Sequence, residues 1–304
     1  MMKALTVKGY LPETQADVTS TNAPVPSETD VIIKIEAAAF NPLDAKLAMG
    51  VMQAFFPLAF PYIPGTDFAG TVIAKGKDVR EFAIGDNVFG RAEPVAGGAI
   101  AEQICVDQSH IAHRPSGLDA QTATSLPTPA GVAQLALDKL ACPQGAPLLI
   151  TGTGAVARAA VILARDKNDV FVLGDGLDRL AGLGATLVAP MDPELADIVT
   201  KTAHILDTTA DHLQSVYLAH VKPKTHVASV AMPMAEDVAQ QANIKSEFVF
   251  LQTDQGILQK LATIAATQPL AVPGSKTFVL DEAANVFDGY VNGSLKGKYI
   301  LTNT

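Results

Sequence analysis

Leu148-Leu149-Ile150-Thr151-Gly152-Thr153-Gly154-Ala155-Val156-Ala157 decides the fold. Four apolar or β-branched residues end in Gly-x-Gly-x-x-Ala, and an Ala-rich segment of helical character follows. The first glycine of such a turn bends the chain tightly. The second lets the backbone approach a pyrophosphate, and the small third residue lets the helix pack on the strand. Diphosphate oxygens would then lie on the N–H groups of Thr153, Gly154, Ala155 and Val156 at the positive end of the helix dipole. Asp175 ends the next apolar run, Val170–Leu173, at a distance suited to a ribose-binding carboxylate. A βαβ unit with a tight turn and no ligand would carry the same glycines; the strand, helix and acid together favour a nucleotide.

The surroundings agree. From Pro147 to about Gln252, apolar strands alternate with candidate helices: Leu148–Thr151, Val170–Leu173, Thr186–Ala189, Ala203–Leu206, His226–Val230 and Phe248–Leu251. That alternation makes a parallel sheet with helices on both faces. Before it, Ala120–Leu126 and Ala130–Leu140 read as helices. After it come a helix at Gln255–Thr267, a strand at Thr277–Leu280, a helix at Glu282–Val291 capped by Asp281, and a last strand at Tyr299–Leu301. The first ~115 residues are different: short strands at Lys3–Val7, Val31–Ala37, Phe68–Ala74, Asn87–Phe89 and Ile100–Val106, with Pro- and Gly-rich turns between them, predict a barrel-like or sandwich module. The tail is expected to fold back onto this module, giving a discontinuous domain of residues 1–118 plus 270–304 around a dinucleotide-binding domain of residues 119–269.

Composition limits the function. With 48% hydrophobic and 17% charged residues in 304, the chain is neither disordered nor a coiled coil. A net charge of −9 argues against nucleic acid or an anionic membrane as partner, since both need a positive face. No apolar run is long enough for a transmembrane helix and the N-terminus lacks a signal-peptide core, so the expected compartment is the cytoplasm. The two cysteines, Cys105 and Cys142, exclude a disulfide scaffold and a four-cysteine zinc site, and read as ordinary buried thiols. His110, His113, His204, His212, His220 and His226 show no ligand spacing, and there is no nucleophile elbow, so neither a metal nor hydrolytic chemistry is expected.

Two further stretches hold polar groups. Asn41-Pro42-Leu43-Asp44-Ala45-Lys46 follows a strand and places an amide, a carboxylate and an ammonium within six residues. It suits the wall of a small-molecule cleft, and equally a turn in which Asp44 caps a helix. In Pro64-Gly65-Thr66-Asp67-Phe68-Ala69-Gly70, Asp67 could be a cap, an ion-pair partner or a site residue.

Together with Asn41–Gly50, Tyr62–Gly90, Gly97–Pro115, Ala228–Pro233 and Gly293–Leu301, these motifs resemble the medium-chain dehydrogenase/reductase superfamily, in its zinc-independent quinone oxidoreductase branch. The resemblance implies a doubly wound Rossmann domain beside a GroES-like β-rich domain, with the active-site cleft at their junction. It implies hydride transfer from NADPH or NADH to a quinone or another activated double bond. Zinc-dependent members carry a Cys near Asn41 and a His where Thr66 stands, so no zinc is expected. By the same resemblance Asn41 and Asp44 line the nicotinamide and substrate pocket, and Lys298 lies near the cofactor.

On that basis Asn41 is the first hydrogen-bond donor to a developing oxyanion and Lys46 the second. Phe55 and Tyr62, with Phe56 and Phe60, would form an aromatic lip for a flat ring; for Phe56 and Phe60 packing under a loop is an equal reading. The branch often has a Tyr where Met52 stands and a Thr where Val132 stands. Asp175 suits the free ribose diol of NADH, whereas Arg179 could reach the 2′-phosphate of NADPH and puts that coenzyme slightly ahead. The departures also allow a dinucleotide-binding sensor or regulatory protein with little turnover. An edge strand at Phe248–Leu251 would serve a homodimer.

Overall fold

The computed structural model describes residues 1–252, 254–268, 270, 275–295 and 297–303. The chain divides into two compact units. One comprises Met1–Thr128, Gln252–Thr267 and Ala271–Thr304; the other comprises Pro129–Leu251 and Gln268–Leu270.

The first unit opens with an antiparallel ribbon of β1 (Met2–Val7) and β2 (Ala16–Thr21). The long β3 (Asp30–Phe40) leads into a short helix, α1 (Pro42–Ala48). Then follow β4 (Asp67–Lys75), β5 (Asn87–Arg91), β6 (Gln103–Asp107), β7 (Ile111–His113) and one turn of helix, α2 (Ala120–Ala123). The helix α3 (Pro127–Leu140) begins where the first unit ends.

In the second unit come β8 (Pro147–Thr151), α4 (Ala155–Ala164), β9 (Asp169–Leu173), β10 (Thr186–Val188), α5 (Leu195–Lys201) and β11 (His204–Asp207). It continues through α6 (His212–Leu218), β12 (His226–Ser229), α7 (Glu236–Gln241) and β13 (Lys245–Phe248). The chain returns to the first unit with α8 (Gln255–Ala265), β14 (Lys276–Phe278), α9 (Ala283–Val291) and β15 (Tyr299–Thr302).

In the first unit the strands run β14-β15-β3-β4-β5-β7, with β6 also paired to β3. The return of the tail has a clear apolar cause. Phe40, at the end of β3, stacks on Phe278 at 5.3 Å and on Phe287 at 5.1 Å. All three rings are buried, along with Leu5, Ile33, Ile35, Phe68 and Ile100, and burying each large side chain contributes about 1.5–3 kcal/mol. The antiparallel register sets Tyr299 opposite Phe40 and so brings Lys298 level with Asn41.

The second unit holds one parallel sheet in the order β10-β9-β8-β11-β12-β13. Numbered from its first strand this is 3-2-1-4-5-6, the doubly wound order, with its reversal between β8 and β11. Its core joins Leu149, Val188, Ile205 and Val227 of the strands to Leu195, Val199, Leu213 and Tyr217 of the helices. The apolar strands and glycine turn predicted the first five strands of this sheet, and the sixth lies earlier in the chain than expected.

Several local expectations need correction. Strand β2, rich in Thr and polar residues, is not evident from the sequence pattern. The Ala120–Leu126 segment is helical only to Ala123 before α3 starts. Asp281 does not cap the last helix. It lies inside a single 3₁₀ turn, Leu280–Glu282, where Glu282 takes up the Val279 N–H at 3.1 Å and α9 begins at Ala283. The edge strand is β13 at Lys245–Phe248, not Phe248–Leu251, since Val249 and Leu251 are buried beyond the strand end. Cys105 and Cys142 are only half-buried, and both are free thiols.

Candidate active site

Asn41 is the last extended residue before α1, with Pro42 at the first helical position, where its missing N–H costs nothing. Asp44, three residues on, accepts the Asn41 N–H on Oδ2 at 2.7 Å. The Asn41 side chain makes no cap hydrogen bond and is committed elsewhere. Its Nδ2 donates to Asp67 Oδ2 at 3.0 Å, and its Oδ1 accepts Lys298 Nζ at 2.8 Å. Asp67 starts β4, in register with Ala39 of β3 on one side and Arg91 of β5 on the other. Thr128 completes the cluster: its hydroxyl donates to Asp67 Oδ1 at 2.6 Å, its N–H donates to Asp67 Oδ2 at 3.2 Å, and its Oγ1 accepts Arg91 Nε at 3.0 Å.

Asp44, Thr66 and Asp67 are fully buried and Arg91 is 1% exposed, while Lys298 is half-buried. Two carboxylates thus face two cations, which is the condition for keeping charge out of water. The compensation is uneven at Asp44. Burial drives its carboxyl up from the usual carboxylate range to about 7, against the opposing effect of the Asn41 N–H. Burial lowers the Lys298 ammonium, and Asp67 and Asp44 hold it back up. Arg91 is also lowered by burial but keeps its charge.

The other expected residues of this unit lie differently. Lys46 is two residues past Asp44, roughly 200° around the helix, so the two side chains leave α1 on different faces. It is half-buried, and desolvation lowers its ammonium. Phe55 is 62% exposed. Tyr62 is buried, its hydroxyl donating to the Pro94 carbonyl at 2.9 Å, so its polar end is already engaged. Phe60 meets Tyr10 edge-on at 5.0 Å, a packing contact. Met52 is buried and Val132 half-buried.

In the second unit, Gly152 follows β8 with φ +83°, a conformation that favours glycine, and an added Cβ would strike Thr209 Cγ2 at 2.5 Å. Gly154 is the N-cap of the ten-residue α4, with no side chain capping it, and a Cβ there would meet nothing within 4 Å. Ala155 and Val156 are half-buried at the first turn, and Ala157 is buried against the sheet. Thr153 hydrogen-bonds the Asp175 carbonyl at 2.8 Å, and the Asp175 carboxylate lies 3.2 Å from His212 Nε2. Arg179 Nε lies 3.8 Å from where a Cβ on Gly176 would sit, so Arg179 folds toward the same turn. An open helix N-terminus of glycine and small residues, backed by a strand end at the reversal of strand order, fits a diphosphate, with Asp175 and Arg179 beside it for a ribose.

Asp67 was open in the sequence as a cap, an ion-pair partner or a site residue, whereas its partners Arg91 and Thr128, and Asp207, were not singled out. Asp67, Arg91 and Thr128 come together only through register and the start of α3. Asp207, at the end of β11, is buried and accepts from Thr151 Oγ1 at 2.8 Å, from the Thr209 and Ala210 N–H groups at 3.1 Å and from Tyr217 OH at 3.1 Å. It pins the β11 turn against the glycine turn. The signal for it was its place: the strand after the reversal supplies the facing wall.

A doubly wound parallel sheet with a glycine turn, joined in one chain to a β-rich unit built from both chain ends, is the architecture of a two-domain dehydrogenase/reductase. Residues 27–116 match the alcohol dehydrogenase GroES-like domain. The chain is 35% identical over 196 residues, 61% of its length and 60% of the relative's, to a chloroplastic quinone-oxidoreductase homolog of Spinacia oleracea. It is 33% identical over 194 residues, 59% of its length and 50% of the relative's, to a chloroplastic NADPH-dependent alkenal/one oxidoreductase of Arabidopsis thaliana. These alignments thus span about half the length of those curated relatives. The quinone oxidoreductase structure of Coxiella burnetii superimposes with a TM-score of 0.87 at 25% identity, covering 100% of this chain and 99% of that one. Residues 27–116 thus carry the GroES-like domain match, and over its whole length the chain has the fold of that quinone oxidoreductase, a GroES-like unit with a Rossmann-type sheet. Among the described residues no helix is long and apolar enough to cross a membrane.

Proposed function

We infer that the protein is an oxidoreductase that reduces a quinone or an enone with NAD(P)H. The observation that carries this reading is the Asp44–Asn41–Lys298–Asp67–Arg91 cluster. It is a buried, charge-balanced assembly whose lysine is its one half-exposed cation. The names of the spinach and Arabidopsis relatives support the substrate class.

Gly152, Thr153, Gly154, Ala155 and Val156 would hold the diphosphate, with Asp175 and Arg179 at the adenosine ribose. When bound, the dihydronicotinamide supplies a hydride to the acceptor. Addition of two electrons and one hydrogen to a conjugated carbonyl leaves negative charge on its oxygen, and a preorganised cationic donor lowers that barrier. The Asn41 amide already spends one N–H on Asp67 and its oxygen on Lys298. The Lys298 ammonium is therefore the better donor. A lysine whose acidity burial increases passes a proton to oxygen more readily: its N–H bond breaks as the new O–H forms, and water restores it. Asp44, pushed up by burial to about 7, balances the second cation once it ionises. Arg179 puts NADPH ahead of NADH, since it can pair with a 2′-phosphate that Asp175 would repel.

The test is a panel of quinones and enones with each coenzyme, combined with fluorescence titration of binding. Turnover with at least one acceptor, faster with NADPH, is the expected result. Tight binding without turnover would instead make the protein a dinucleotide sensor, and absence of binding would remove both readings.

A further inference from the structure

We propose that Asp67 is the positioning residue of the site, fixing which way round the Asn41 amide sits and thereby where the Lys298 ammonium points. This rests on the reduction reading above for what Lys298 does, but the positioning itself stands on geometry. An asparagine amide has a donor end and an acceptor end of almost the same shape. Nothing in Asn41 alone selects between them. Asp67 Oδ2 only accepts, so it captures Nδ2 at 3.0 Å and turns Oδ1 toward Lys298, which receives the ammonium at 2.8 Å. Asp67 is held in turn: Thr128 donates to both of its oxygens, and Arg91 donates to the Thr128 hydroxyl. The hydroxyl can give only one proton. With Arg91 donating to it, that proton goes to Asp67 Oδ1, leaving Oδ2 for Asn41 and the Thr128 N–H.

This is a one-way chain of donors, Arg91 to Thr128 to Asp67, meeting a second donor line from Asn41. Asn41, Asp44, Asp67 and Arg91 each have a hydrogen-bond partner here. Among the described residues the charged groups acting on Lys298 are Asp67 on β4 and Asp44 on α1; Arg91 on β5 acts on Asp44, and Asp44 in turn acts on the neutral Tyr62 and Tyr290 hydroxyls.

Asp67→Asn tests the chain at nearly constant volume. The new amide places a second NH₂ group in the cluster. When it faces Asn41, the Asn41 amide turns over and presents hydrogens to an ammonium, breaking the Lys298 bond. The negative charge that favours the ammonium is lost too. The expected results are a fall of about tenfold or more in kcat/KM at neutral pH and an alkaline limb of the pH profile moved lower by about one unit, with the NADPH Kd within about twofold of wild type. On a Lys298→Met background the same substitution adds less than about twofold, because the group it positions is gone. An equal loss in both backgrounds, or an unmoved alkaline limb, overturns the proposal.

If the wild-type protein turns over no acceptor, the reduction reading fails while the positioning claim is still decided. NMR of protein carrying ¹³C,¹⁵N-labelled lysine then follows the Lys298 side chain. Its titration midpoint falls in Asp67→Asn if the inference holds and stays unchanged if it does not. Should Asp67→Asn fail to fold, Thr128→Val removes the hydroxyl and keeps the charge. With its Oδ1 donor gone Asp67 is free to turn and the Asn41–Lys298 bond is no longer fixed, so the Lys298 side-chain signals shift; unshifted signals overturn the proposal.

Discussion

Asp44 is a carboxyl with no exposed surface, and its protonation sets a pH dependence that can be worked out in sign. Burial raises its folded-state value from 3.8 to about 7. A folded value above the unfolded one means that the protonated form stabilises the fold. That contribution is complete below about pH 4 and disappears as pH climbs through about 7. The difference is worth up to ~4 kcal/mol. Wild-type protein should therefore lose melting temperature between about pH 4 and 7. Asp44→Asn, which keeps an oxygen for the Asn41 N–H and cannot ionise, should show a flatter profile and be more stable than wild type at pH 8. Thermal unfolding across that range checks it, and parallel curves would refute it. The sequence offered Asn41 and Asp44 as either a turn or a cleft wall, and the structure shows the helix start directly. The Asp44 carboxylate secures the helix start, which leaves the Asn41 amide for Asp67 and Lys298. Lys46 was a plausible donor by proximity in sequence alone, but a spacing of two in a helix turns it away from Asp44.

At the level of elements, the turn from β8 to α4 separates binding from folding. Gly154 has φ −79° and open space where a Cβ would project, so Gly154→Ala should unfold within about 2 °C of wild type. The added methyl stands where a diphosphate must approach, so the Kd for NADPH should rise tenfold or more. Gly152→Ala is different. Its positive φ and the 2.5 Å clash with Thr209 should cost stability as well, about 1–3 kcal/mol. Calorimetry with a dinucleotide titration distinguishes the two, and normal binding by Gly154→Ala would defeat the assignment. This turn was legible because glycine, strand and helix are all local. So was the parallel sheet, since apolar runs alternating with helices have few other solutions. Strand β2 was not legible: Ala-Asp-Val-Thr-Ser-Thr buries only its first residue fully, so it carries no strong apolar period. Asp67 and Arg91 were not legible as a pair because their meeting depends on register between β4 and β5, which no local pattern states.

For the whole molecule, the net charge of −9 leaves association to apolar and backbone contacts rather than to charge pairing. The parallel sheet of the second unit has two edges, β10 and β13. In β13 the Lys245 N–H and, just beyond, the Val249 N–H donate inward to Thr225 and Ser229. Residues alternate along a strand, so Ser246 and Phe248 direct their N–H groups outward. A row of that kind, without a strand partner among the described residues, can pair with the same strand of a second chain about a two-fold axis. Of the run Phe248–Leu251, only Phe248 lies within β13. The expected homodimer therefore depends on Lys245–Phe248. Ser246→Pro removes an outward N–H without touching the inward ladder, so it should leave the fold intact and change the assembly. Light scattering should give twice the 31.7 kDa chain mass for the wild type and the single chain mass for the variant. A wild-type monomer, or a variant that remains dimeric with unchanged affinity, would rule out this edge as the interface.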